Sequence, residues 1–235
     1  HSRVRRQRQM CIRDSFSEMD WNIIIHYNSS KNDAQVLADE INGNNPDSAI
    51  TVQGNLDVKE DVEKVINEVR DAFPTIDLLI NNASTFYPTP IEDISEEHWD
   101  KLVGSNLKGP LFLIKGLRDK LKESKGSIIN ITDTNLSKGV ANYSIYSAAK
   151  AGLESITKGL ARELAPDIKV NAIAPGAMLE PPDVTWTEEQ KSKVISSIPL
   201  NRMGSVEDIS EAVKFLAKSN YITGQIIKVD GGRSL

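Results

Sequence analysis

Two tyrosines in this sequence are each followed four residues later by a lysine, which forms a pair that could transfer a proton. Tyr27 and Lys31 straddle the end of a predicted strand, where residues i and i+4 do not share a face. Tyr146 and Lys150 lie inside a predicted helix, where they do. An ammonium beside a phenol favours the phenolate and makes the phenol a usable proton donor near neutral pH. Such a pair also occurs on exposed helix turns that have no catalytic role. Whether this pair is catalytic must therefore be judged from the motifs around it.

Polar motifs follow three of the predicted strands. The strand at 127–131 ends in Thr-Asp-Thr, which places Asp133 thirteen residues before Tyr146. Ligands of a parallel sheet bind at the carboxyl ends of its strands, so these motifs are expected to converge there. The other members of this set are Asn81-Asn82-Ala83-Ser84 after the strand at 76–80, Asn106 in a long helix, and Pro175-Gly176 after the strand at 170–174.

Short apolar runs alternate with longer segments of helical periodicity. This alternation predicts a doubly wound, parallel, Rossmann-like α/β sheet in a single domain. Strands are predicted at 22–27, 50–53, 76–80, 127–131, 170–174 and 225–229, and helices at 30–41, 58–73, 96–121 (bent near Gly109-Pro110), 143–164 and 206–217.

Composition excludes several classes of protein. Of the 235 residues, 39% are apolar and 26% charged, which is typical of a globular enzyme. The apolar runs are far shorter than the roughly 18 residues that span a bilayer, and the net charge of −5 argues against nucleic acid as a partner. The single cysteine, Cys11, excludes an intramolecular disulfide, and no His/Cys/Asp/Glu cluster has the spacing of metal ligands.

The beginning of the chain differs from the rest. Residues 1–15 contain five arginines and one aspartate, and no glycine precedes Gly43. We interpret 1–15 as an unrelated basic leader, either an artefact or a presequence, and 16–235 as a single domain.

The motifs together resemble the short-chain dehydrogenase/reductase family from Trp21 to Leu235. The resemblance rests on Asn81-Asn82-Ala83, Asn106, Tyr146 with Lys150, and Pro175-Gly176. Where the family has a serine that holds a carbonyl oxygen, this chain has Asp133. The pteridine reductases of the family have an aspartate there, and they are similar to this chain over 81–91 (NNASTFYPTPI) and 26–28 (HYN). The sequence is thus most similar to bacterial pteridine reductases.

This resemblance implies a set of catalytic and substrate-binding residues. Tyr146 would donate the proton with Asp133 as its relay, and Lys150 would hold the nicotinamide ribose and tune Tyr146. A carboxylate repels a carbonyl oxygen that gains negative charge, but it accepts from the N–H groups of a nitrogen heterocycle. Phe86 would stack on a pterin ring, or be a packed loop aromatic. Ser84 would bind the pterin or a cofactor phosphate, and Asn106 would support a water chain to Lys150 or serve only in a helix kink.

The resemblance also implies NADPH as the cofactor. No acidic residue ends the strand at 22–27, so a ribose 2′-phosphate is permitted, and Asn28, Ser29 and Ser30 supply donors for it. Ser29 or Ser30 would in addition cap the next helix. The other implied cofactor contacts are Asn55, Asn82, Ala83, Ser84, Tyr146, Lys150, Pro175 and Gly176.

The family's glycine-rich turn and first strand have no counterpart in this sequence. In the family that strand lies between those at 22–27 and 76–80, so its loss leaves backbone groups without partners, at about 1–3 kcal/mol each. The resemblance thus implies that 16–235 is a single short-chain reductase domain that is truncated at its N-terminus. We expect the chain as written to be unstable and to bind NADPH weakly, and an intact parent to be active. Members are usually cytoplasmic homotetramers that associate through the helices at 96–121 and 143–164.

Two alternatives to NADPH-dependent pterin reduction stay open at this point. One is a 3-oxoacyl thioester reductase of the same family. The other is a non-catalytic remnant or oligomeric scaffold, which the missing glycine-rich turn would favour.

Overall fold

The computed structural model describes residues 21–178 and 186–235. The predicted leader at 1–15, the domain start at residue 16 and Cys11 lie outside the described residues. None of the helices in the described ranges is long and apolar enough to cross a membrane.

Strands and helices alternate along the described chain. The strands are β1 (Ile23–Tyr27), β2 (Ala49–Gln53), β3 (Leu78–Asn81), β4 (Ser127–Ile131), β5 (Lys169–Pro175) and β6 (Ile226–Val229). The helices are α1 (Lys31–Asn44), α2 (Lys59–Ala72), α3 (Glu96–Val103), α4 (Gly109–Glu123), α5 (Ser144–Glu163), α6 (Glu188–Ser196) and α7 (Val206–Lys218). A π-helical turn, Gly104–Lys108, joins α3 to α4, and 3-10 turns occupy Ile91–Asp93 and Thr134–Ser137.

Helices cover both faces of the parallel strands. Along β4, Ile128 packs into the apolar layer formed with α2, α4 and α5, whereas Ile129 packs into the layer formed with α7. Both side chains are fully buried. Because successive residues of a strand point to opposite faces, an unbroken apolar strand requires this double cover. The predicted doubly wound α/β architecture is confirmed.

The strands form two sheets. All described pairs are parallel, with β1 beside β2 in one sheet and the order β3-β4-β5-β6 in the other. A cleft of about 710 Å³ separates β1 from β3 and is lined by residues of both strands. Among the described residues no strand lies between them, at the position where the sequence analysis expects the family's first strand to be missing.

Backbone groups that pair with no strand of the described ranges line both sides of this cleft. The N–H of Ile23 donates to Ser48 in front of β2, so the N–H and C=O of its neighbour Ile24 point the other way, into the cleft. On the opposite side, the C=O of Asp77 accepts from Ser127 at the start of β4, so the N–H and C=O of Leu78 face the cleft. The edges of β1 and β3 that face the cleft could therefore each pair with a further strand.

The start of α7 carries a charge pair with a measurable pH dependence. Arg202 donates to both carboxylate oxygens of Asp208 at 2.8 and 2.9 Å, and the backbone N–H of Ser205 donates to Asp208 Oδ2 at 2.7 Å. The hydrogen bond from Arg202 is the main reason that the pKa of Asp208 falls from 3.8 to about 2. The ionised carboxylate therefore stabilises the fold above about pH 4, and this contribution is lost as the pH falls to about 2.

We expect Asp208→Asn to lower the free energy of unfolding by about 1 kcal/mol near pH 7, since partial solvent exposure reduces the value of the ion pair. Near pH 2 the wild type and the variant should be almost equally stable. Urea unfolding at both pH values measures the difference. A difference that does not change with pH would contradict the assignment.

Candidate active site

The centre of the site is a contact between a phenol and a carboxylate. Tyr146 lies in the first turn of α5, and Asp133 lies two residues beyond the end of β4. The Tyr146 hydroxyl donates to Asp133 Oδ2 at 3.1 Å. The fold thus brings together the two residues that the sequence analysis selected at a separation of thirteen positions.

Lys150 lies one helical turn after Tyr146 and is 2% exposed. Its Nζ donates to the backbone oxygen of Ile131 at 2.8 Å and is 6.0 Å from the centre of the Tyr146 ring. A charge buried to this degree needs polar partners, because desolvation of an ammonium costs several kcal/mol. The last carbonyl of β4 therefore fixes a positive charge beside the phenol.

The other oxygen of Asp133 is held by its own loop. Asp133 Oδ1 accepts from the backbone N–H of Asn135 at 2.8 Å and from the Asn135 side-chain amide at 3.0 Å. The carboxylate thereby caps the 3-10 turn Thr134–Ser137. The conformation of the loop and the orientation of the carboxylate are thus coupled.

Phe86 forms an aromatic surface over Tyr146. Its ring stacks on Tyr143, with 4.6 Å between ring centres and an angle of 14° between the planes. It meets the Tyr146 ring edge-on at 4.8 Å. Phe86 is still 46% exposed, so part of the ring is available to a planar ligand beside the phenol.

Asn106 lies in the π-helical turn and is completely buried. Its side-chain oxygen accepts from the Ser84 hydroxyl at 2.6 Å, and its amide donates to the backbone oxygens of Thr85 and Leu102. None of the hydrogen bonds described for Asn106 goes to Lys150. Its contacts fix the loop that carries Phe86, while the water chain to Lys150 stays a prediction.

The turn after β5 closes the site on another side. The Thr134 hydroxyl donates to the backbone oxygen of Pro175 at 3.2 Å, and the N–H of Gly176 donates to Val229 at 2.9 Å. A Cβ atom at Gly176 would lie 2.5 Å from Asp230 Cβ, so only glycine permits this close approach of the backbones.

Further predicted cofactor contacts lie at the carboxyl ends of β1, β2 and β3. Asn28, Ser29 and Ser30 follow β1 and are exposed. Asn55 follows β2, and its side-chain oxygen accepts from the N–H of Asp57 at 3.2 Å. Asn82 and Ala83 follow β3 and line the cleft.

This end of β1 has the kind of polar groups that a ribose 2′-phosphate, as in NADPH, would require. Residues 28–30 are three adjacent exposed polar side chains without a carboxylate among them, and Ser30 makes no side-chain capping bond to α1. Hydroxyl and amide donors of this kind suit a phosphate, which a carboxylate at the same place would repel.

Two contacts at the site were not predicted from the sequence. One is the stacking of Tyr143 on Phe86, between residues far apart in the chain. The other is the double hydrogen bond from Asn135 to Asp133, for which the sequence does contain a signal. An aspartate that accepts from the backbone N–H two residues later is a common turn pattern.

Comparison with known proteins gives consistent matches over most of the chain. Residues 11–234 match a family model described as enoyl-(acyl carrier protein) reductase. A 3-oxoacyl-[acyl-carrier-protein] reductase FabG of Staphylococcus aureus is 36% identical over 220 residues, which is 92% of this chain and 89% of the relative. The pteridine reductase 1 of Leishmania tarentolae is 34% identical over an alignment of 259 positions, which covers 92% of this chain and 88% of the relative.

The match to the family model and the identities above 30% agree with the arrangement of Tyr146, Lys150 and the strand-end motifs. The chain belongs to the short-chain dehydrogenase/reductase family and is an oxidoreductase of that family.

Proposed function

We propose that this protein reduces a pterin of the dihydrofolate, dihydrobiopterin or dihydromonapterin type, with NADPH as the hydride donor. The observation that carries this proposal is the hydrogen bond from the Tyr146 hydroxyl to Asp133 Oδ2. A carboxylate thus occupies the position at which a ketone oxygen would need a neutral hydrogen-bond donor.

Electrostatics favours a nitrogen heterocycle over a ketone here. The oxygen of a ketone gains negative charge as hydride arrives. At about 4 Å from a carboxylate this charge costs about 4 kcal/mol for an effective dielectric constant near 20, or about a thousandfold in rate. A pterin ring instead presents N–H groups to the carboxylate and a ring nitrogen that takes up a proton.

Four residues of this chain have separate roles in the reaction. Bound NADPH supplies the hydride. Tyr146 holds a proton next to the substrate and gives it to the ring nitrogen. Asp133 then takes up a proton from solvent and passes it to the phenolate along the hydrogen bond between their oxygens. Lys150 stabilises negative charge on the phenol while that proton is absent. The exposed part of Phe86 orients the ring of the substrate.

The second candidate is reduction of a 3-oxoacyl thioester, and the comparisons support it better than pterin reduction. The 3-oxoacyl reductases recur among the relatives and align at 35–36% identity, against 34% for the pteridine reductase. The geometry of Asp133 is the observation that favours the pterin.

Steady-state kinetics separates the two candidates. With NADPH present, we expect kcat/KM for dihydrobiopterin to exceed that for an acetoacetyl thioester by at least about 100-fold, because a site built for N–H groups rejects an analogue that lacks them. The loss of nicotinamide absorbance measures both rates, and NADH in place of NADPH tests the cofactor. A faster rate on the thioester would reject pterin reduction and support the second candidate.

We also propose that the protein forms a homotetramer through α3, α4 and α5. Trp99 on α3 is 52% exposed and Phe112 on α4 is 41% exposed. Burial of large apolar side chains of this kind stabilises association. Light scattering of the purified protein gives the mass of the assembly.

A further inference from the structure

We infer that Asn135 is a positioning residue, which orients the carboxylate of Asp133 so that one chosen oxygen exchanges a proton with Tyr146. This inference deepens the proposed function and rests on its assignment of Asp133 as the proton relay. It concerns a residue that touches neither Tyr146 nor Lys150 in the described hydrogen bonds.

The two oxygens of Asp133 have different surroundings. Oδ1 accepts two hydrogen bonds from Asn135, at 2.8 Å from the backbone N–H and 3.0 Å from Nδ2. Oδ2 accepts from the Tyr146 hydroxyl at 3.1 Å. With its acceptor directions occupied by two donors, Oδ1 is a poor site for a proton, so a proton that the carboxylate takes up goes to Oδ2. That oxygen is the one next to the phenol.

The side-chain amide does more than the loop itself requires. The backbone N–H of Asn135 alone caps the 3-10 turn, as an Asx turn normally does. The Tyr146 hydroxyl also holds the carboxylate, at Oδ2, but only while the phenol carries its proton. Once that proton has moved, the backbone bond alone would let the carboxylate rotate about its Cβ–Cγ bond, which is a soft torsion with broad wells. The second bond, from Nδ2, prevents that rotation. Removing only Nδ2 therefore separates the orientation of the carboxylate from the capping of the turn.

The test is a double-mutant cycle between Asn135 and Asp133. Asn135→Leu keeps the backbone N–H and the approximate volume of the side chain but removes the amide. We expect it to lower kcat about 10-fold and to change KM less than about 2-fold, since a charge-assisted hydrogen bond that acts only on proton transfer is lost. Asn135→Asp, which places a second carboxylate beside the first, should lower kcat further.

The same Asn135→Leu change in an Asp133→Asn background should cost less than about 2-fold, because the amide no longer has a relay to orient. A wild-type kcat in Asn135→Leu would overturn the inference. So would an equal loss in both backgrounds, which would assign a merely structural role. Urea unfolding of each variant checks that the fold is retained.

Failure of the proposed function looks different from failure of this inference. If the wild type reduces the acetoacetyl thioester and not the pterin, pterin reduction is rejected. The cycle is then measured with the thioester, and the coupling between the two residues still decides the role of Asn135.

Discussion

Replacement of Tyr146 by phenylalanine is expected to lower kcat about a thousandfold, within the range of 10²–10⁴ that a general acid contributes. The change removes only the hydroxyl that donates to Asp133 Oδ2 at 3.1 Å. The ring, which packs edge-on against Phe86, is kept. Steady-state kinetics on the substrate that the wild type reduces gives kcat, and titration calorimetry with NADPH tests whether cofactor binding is unaffected.

The chain contains a matched control for this variant. Tyr27 is also followed by a lysine four residues later, but it ends β1 and does not lie on a helix with Lys31. Tyr27→Phe should keep kcat within about 2-fold of the wild type, since no proton transfer is assigned to this hydroxyl. An equal loss in the two variants would mean that Tyr146 is not the proton donor.

Replacement of Asp133 by serine is expected to reverse the substrate preference. Serine supplies the neutral donor that a ketone oxygen needs and removes the repulsion of about 4 kcal/mol. We expect the pterin rate to fall about 100-fold and the ratio of thioester to pterin kcat/KM to rise about a thousandfold or more. Both substrates are assayed with the same preparation, so differences in the active fraction cancel in the ratio.

Asp133→Asn is the control for shape in this experiment. It keeps the length of the side chain and an acceptor oxygen but cannot take up the proton. Its pterin rate should fall as far as that of Asp133→Ser, with a smaller gain on the thioester. An Asp133→Ser variant that keeps the wild-type ratio would show that the carboxylate does not decide the substrate.

The strands were predictable because short apolar runs that are rich in β-branched residues and bounded by turn residues favour a buried strand over a helix. The predicted strand at 127–131 coincides with β4, all five of whose residues are buried. Helix α6 was not predicted. None of its residues is buried, so it has no apolar stripe for periodicity to reveal, and its signal is the capping box between Thr187 and Gln190. Local hydrogen bonds at such a helix end carry more information than hydropathy.

The bend predicted near Gly109-Pro110 proved to be a π-helical turn, Gly104–Lys108. The N–H of Gly109 bonds to the oxygen of Gly104, five residues back. Proline has no N–H to continue the regular ladder, and the wider turn accommodates this break. The burial of Asn106 could not be read from residue types, because it depends on the contacts of this turn with Ser84 and Thr85, which lie in a separate loop.

In the candidate site, the sequence was sufficient to predict which residues lie together wherever their spacing along one helix or at one strand end sets the geometry. Tyr146, Lys150 and Asp133 meet in this way. Contacts between separate loops, such as Phe86 on Tyr143, depend on side-chain packing that no local pattern encodes. The role of each residue in catalysis stays a prediction until the variants are measured.

The cleft between β1 and β3 has a consequence for how the molecule opens. Sheet interiors are normally the last regions to exchange their amide protons, since every N–H there is paired. Here the N–H groups of Ile24 and Leu78 point into the cleft from the two middle strands. Within the described part of the chain, backbone pairing is thus interrupted in the middle of the strand array, where it is normally complete. Fluctuations of the native state would accordingly divide the molecule along this line, with β1, β2 and α1 moving as one cooperative unit.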